Sequence, residues 1–123
     1  MYLLTTEKYS AILKDAFEAL PKQADSMHED SEADIIYFCA QGVYPESGEK
    51  SPQADLYTNL VKNYLADSSN EMSLRTSFHV PWAKMVRRSF VEEHHIRYDE
   101  VVANNDDYFA LLAGYYANKI KAV

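Results

Sequence analysis

The stretch Arg87-Arg88-Ser89-Phe90-Val91-Glu92-Glu93-His94-His95 concentrates the side chains most able to do chemistry. Five residues separate Arg88 from His94, and six separate it from His95. At that spacing a histidine could take the proton of a ribose 2′-hydroxyl while the arginine fork holds the neighbouring phosphate. The alternative is an exposed helix face on which Arg88 and Glu92 pair at i, i+4. Asp25-x-x-His28 and Glu92-x-x-His95 have the i, i+3 spacing of carboxylate-bridged metal bundles, but the further glutamates such a site needs have no matching pattern on core faces. No metal site and no cofactor are expected. The chain has no glycine-rich phosphate loop, no serine or cysteine nucleophile elbow and no paired zincin motif. His79, ahead of Val80-Pro81, reads as structural.

Arginine followed four to six residues later by histidine resembles the signature of the HEPN ribonucleases, which are small helical bundles. The resemblance covers about nine residues. It implies catalysis by Arg88 and His94, with Ser89 a loose match to the polar residue after the family's arginine. A helix over 71–78, a break at His79-Val80-Pro81 and a helix from Trp82 bearing Lys84, Arg87 and Arg88 would suit a helix-turn-helix, without the usual glycine in its turn. DYFALLAGYYA and LRTSF resemble the CRISPR type III small subunit, a helical protein that lines guide RNA. Residues 71–98 carry five basic and three acidic groups, the one net-positive region of a chain whose charge is −7. That overall charge disfavours direct nucleic-acid binding.

The acids gather in the front half, where residues 1–70 carry 12 acidic and five basic groups. Such a surface suits a basic protein partner, although plain solubility also accounts for it. Ten tyrosines are about twice the usual share. Tyr9, Tyr57, Tyr64 and Tyr116 fall on apolar stripes. Tyr37, Tyr44, Tyr98 and Tyr108 sit beside acids, in DIIYF, VYPESGE, RYDE and NDDYF. Tyrosine is common in binding hot spots, and surrounding carboxylates would steer a cationic partner. YPESGEKSP followed by a helix resembles the tyrosine-bearing loop and last helix of the colicin nuclease immunity proteins. That likeness implies an inhibitor occupying the basic surface of a nuclease. The expected contact residues are Asp30, Glu32, Asp34, Tyr37, Tyr44, Glu46 and Glu49.

These residues must be positioned by elements that the sequence punctuates sparingly. Three glycines and four prolines supply few tight turns, which disfavours a strand-rich sandwich. Tyr9, Ile12, Leu13, Ala16, Phe17 and Leu20 mark one helical face. Ser31 and Asp34 form a capping box ahead of IIYFCA, predicting a helix to Val43 and Tyr44. Ser51-Pro52 starts another, with Leu56, Tyr57, Leu60, Val61, Tyr64 and Leu65 as its stripe. Further helices are predicted over 71–78 (Met72, Leu74 and Phe78 inward), from Pro81 to about His95, and from Asn105 along Phe109, Leu112, Tyr116 and Ile120. The first of these is followed by a break at Pro81, and a brief helical turn holds Val101 and Val102. Lys119 and Lys121 suit the negative end of the last helix. The expectation is an all-α fold: a single domain over 1–123, a compact bundle of about five to six helices. No apolar run is long enough to span a bilayer, and no secretory signal opens the chain. With a lone cysteine, Cys39, read as a buried hydrophobe, this predicts a soluble cytoplasmic protein.

Overall fold

The computed structural model describes residues 32–123. It corrects the all-α expectation: among the described residues four α-helices stand with two small sheets, so the fold is mixed α/β and not a helical bundle. The helix predicted through IIYFCA is strand β1, Ile35–Tyr37. It is the middle of a three-stranded sheet, antiparallel to β4 (Lys84–Val86) on one side and parallel to β5 (Ile120–Ala122) on the other. A central strand is covered on both faces and so reads as a continuous apolar run, which periodicity cannot tell from a buried helix. Ile35 and Tyr37 enter the main core, while Ile36 turns to the other face with Ala33, Phe38 and Met85. The capping-box acid has a different task. Asp34 accepts from the backbone N–H of Asn118 at 2.8 Å and Lys119 at 3.3 Å, docking the entry of β5 against β1.

The second sheet is a hairpin of β2, Gly42–Val43, and β3, Lys50–Ser51. Ser51 ends β3 and caps a 3₁₀ turn, Pro52–Ala54, by accepting from Gln53 N–H, with proline at the first position as expected. Helix α1 follows over Asp55–Ala66. Asp67 caps a second 3₁₀ turn, Ser68–Asn70, and α2 runs over Glu71–Ser77. Helix α4, Asn105–Tyr116, packs most extensively on α2. Val61, Leu74, Phe78, Phe90, Ile96, Phe109 and Ala113 fill the core between these helices and the sheet.

Four further expectations change. Residues 81–95 are not one helix. Ala83 adopts φ 56°, the chain turns into β4, and helix α3 is confined to Arg88–Glu93. Val101 and Val102 are exposed in a bend, not in a helical turn. The last helix ends at Tyr116, and Ile120, placed on its stripe by spacing, belongs to β5. Cys39 is exposed. The helical face from Tyr9 to Leu20, the Asp25–His28 pair and Asp30 lie outside the described residues. No helix among the described residues is long and apolar enough to cross a membrane.

Candidate functional site

Gly114 decides how α2 and α4 meet. A Cβ there would lie well under 3.0 Å from the Arg75 carbonyl oxygen, so only glycine lets the two backbones touch. Arg75 secures the crossing from the other side. Its Nη1 donates to the carbonyls of Gly114 at 2.9 Å and Ala117 at 2.6 Å, partnering the orphan acceptors at the end of α4. Its Nε donates to Glu71 at 2.7 Å within α2. Arg75 therefore does the work that the sequence assigned to Lys119 and Lys121.

Beside this contact a groove of about 670 Å³ opens, walled by Met72 and Thr76 of α2 and by Tyr108, Leu111, Leu112 and Tyr115 of α4. Its apolar walls are open to solvent: Met72 is 69% exposed, Tyr115 80%, Tyr108 49% and Leu111 44%. Helix α4 carries two apolar faces. Phe109, Ala110, Ala113 and Gly114 are buried in the core, while Tyr108, Leu111, Leu112 and Tyr115 follow i, i+3, i+4, i+7 along the groove. A volume of this size falls within the roughly 300–1,000 Å³ of sites that enclose a ligand or anchor residues. At the far end of α4, Tyr116 stacks on His94 at 4.8 Å, and His94 tilts against Phe90 at 5.0 Å.

The groove residues were largely missed by sequence reasoning. The helical spacing places Met72 inward and gives Leu111 no role, whereas both line the groove. The available signal was that DYFALLAGYY is apolar around most of its circumference, more than one core contact can cover.

The residues expected to bind a partner are dispersed. Tyr37 is 2% exposed, tilted on Phe78 at 5.1 Å. Burial holds its phenol well above the usual range, against a smaller opposing effect of Arg75. Asp34 is buried and spent on backbone N–H groups. Glu32 lies 3.4 Å from Lys119. Tyr44, Glu46 and Glu49 remain together and exposed on the loop of the β2–β3 hairpin. Arg88 is exposed and bonded to Glu92 at 2.8 Å, the helix-face pair of the alternative reading, while His94 is half-buried between rings. No group of three or more potential metal ligands occurs among the described residues.

The basic groups of residues 71–98 are also redistributed. Arg75, Lys84, Arg87 and Arg97 all donate to main-chain carbonyls, those of Gly114 and Ala117, Phe78, Ala33, and Ile96 respectively. Among the acids of the described residues, Asp34 alone is buried. Comparison with protein-family models, with curated proteins and with solved structures finds no match to this chain.

Proposed function

We propose that this chain is a protein-binding module that acts in the cytoplasm by occupying a basic partner, in the manner of an inhibitor of a nucleic-acid-processing protein. The partner seats in the α2–α4 groove. The observation that carries this reading is the unbroken exposed stripe of Met72, Tyr108, Leu111 and Tyr115, large side chains that a chain of this size ordinarily covers. Aromatic and methionine side chains on a chain of net charge −7 supply the two parts of such an interface: desolvated anchors and a steering field. Helices α2 and α4 carry Glu71, Asp106 and Asp107 against one base, Arg75, which pairs with Glu71 and also holds two backbone carbonyls, so the surplus charge is that of Asp106 and Asp107. The Tyr44–Glu49 loop adds charge to the field from a separate place on the fold.

Photo-cross-linking residues placed at Tyr115 and, as a control, at exposed Lys62 test this. We expect a basic protein to be captured from Tyr115 and not from Lys62. Capture should be lost when Met72→Ser is added, and the captured protein's activity on nucleic acid should fall on binding. Capture of equal strength from Lys62, or of an acidic protein, would overturn the reading.

A further inference from the structure

We infer that the outer face of the three-stranded sheet is the docking surface for residues 1–31, with the apolar set Tyr9, Ile12, Leu13, Ala16, Phe17 and Leu20 as its cover. The inference goes beyond the protein-binding reading and concerns a different surface from the groove.

Both faces of the sheet are apolar, but they are not served alike. Ile35 and Tyr37 face the main core, where Val61 of α1, Leu74 of α2, Phe90 of α3 and Phe109 of α4 are buried. Every described helix thus turns buried side chains to that one side. The outer face has Ile36 at its middle, with Met85 beside it on β4 and Lys121 beside it on β5. Ala33, Phe38 and Ala83 complete its cluster, so among the described residues this cluster holds only the strands and their immediate neighbours in sequence. Yet Ile36 is 0% exposed and Phe38 6%. An isoleucine at the middle of a sheet face loses all its exposure only when a second layer lies over it.

The sequence ahead of residue 32 has what such a layer needs. Its apolar set recurs at i, i+3, i+4, i+7, i+8 and i+11, and so presents one continuous stripe at helical spacing. At that spacing the stripe is about 17 Å long, which matches the five extended steps from Ala33 to Phe38. The segment also starts from the right place. Glu32 follows it directly, and Ala33, the next residue, already belongs to the outer-face cluster. Between Leu20 and Glu32 lie 11 residues, a reach of up to about 35 Å. That is ample to bring the stripe back over a face half as long.

The test uses the full chain and two measurements. A photoreactive methionine analogue at position 85 should cross-link to residues 1–31 of the same chain, as mixing of isotope-labelled and unlabelled protein will show. Double-mutant cycles in urea unfolding then pair Phe17→Ala with Met85→Ala, and Phe17→Ala with Leu111→Ala in the groove. The first pair should depart from multiplicative effects on the unfolding constant by about threefold or more, and the second by less than about 1.5-fold. Cross-links from position 85 to a second copy or to another protein would overturn the inference, as would independence of Phe17 and Met85. Coupling of Phe17 to Leu111 alone would put the segment in the groove, and the exposed stripe of the module reading would fall with it. Failure of Tyr115 to capture a basic protein, with the position-85 cross-link intact, removes the module reading and leaves this one standing.

Discussion

Lys84 shows how one side chain can set the pH dependence of the fold. It is paired with Tyr37 across β1 and β4, its Nζ donates to the Phe78 carbonyl at 3.0 Å, and it lies 5.6 Å from the centre of the Phe78 ring. Burial pushes its ammonium down to about 8, against the opposing pull of Asp106. Between about pH 8 and 10 the unfolded chain therefore holds a proton that the folded chain has released, and stability rises with pH. Tyr37 acts oppositely: its raised phenol keeps its proton above pH 10, where the unfolded chain has lost it, so stability falls there. Urea unfolding across pH 7–11 should show a maximum near pH 10, and Lys84→Met should flatten the rising limb. An unchanged rise in that variant would remove Lys84 as its cause. Neither role was legible in the sequence, because both come from burial by residues far along the chain. Asp34 is a similar case. Its place after Ser31 suggested a helix cap, but its partners are 84 and 85 residues away. Asp34→Ala removes the carboxylate acceptor of those partly buried N–H groups, and a loss of about 1–3 kcal/mol in unfolding free energy is expected.

At the scale of elements, the legible parts were those whose ends are set by neighbours in sequence. Ser51-Pro52 and the polar run at Asp67 bracket α1, and Asn105 opens α4, each through a cap or turn within a few residues. The strands were illegible because two or three residues carry little period of their own and take their state from distant partners, Ile35 from Val86 and Ile120. Gly114 sets these two kinds of information against each other. Helix propensity alone makes Gly114→Ala stabilising by about 0.5–1 kcal/mol. The contact with the Arg75 carbonyl reverses the sign, because the new methyl must push one helix backbone off another. We expect a net loss of about 1–3 kcal/mol. Thermal unfolding should show the midpoint lowered by at least about 5 °C. A midpoint that holds or rises would show that α2 can move aside without cost.

For the whole molecule, the placement of charge matters more than its sum. Residues 32–123 carry 13 carboxylates and nine Lys or Arg side chains. Four of those cations donate to backbone carbonyls and one of the acids is buried, and the described residues keep a carboxylate excess of four. In the net-positive stretch 71–98, Arg75, Lys84, Arg87 and Arg97 donate to backbone carbonyls and Arg88 pairs with Glu92. Field and groove should then divide the work of binding. Charges spread over the surface act at long range during encounter, while Met72, Leu111 and Tyr115 hold the partner once water has left. Raising ionic strength from about 0.02 to 0.5 M shortens the Debye length several-fold and screens the first without touching the second. Stopped-flow association of the captured basic partner should slow by about tenfold or more over that range, while its dissociation changes by less than about twofold. Leu111→Ser should do the reverse, speeding dissociation and leaving the salt dependence of association intact. If dissociation carries the salt effect, the partner is held by ion pairs, and the apolar stripe is not what retains it.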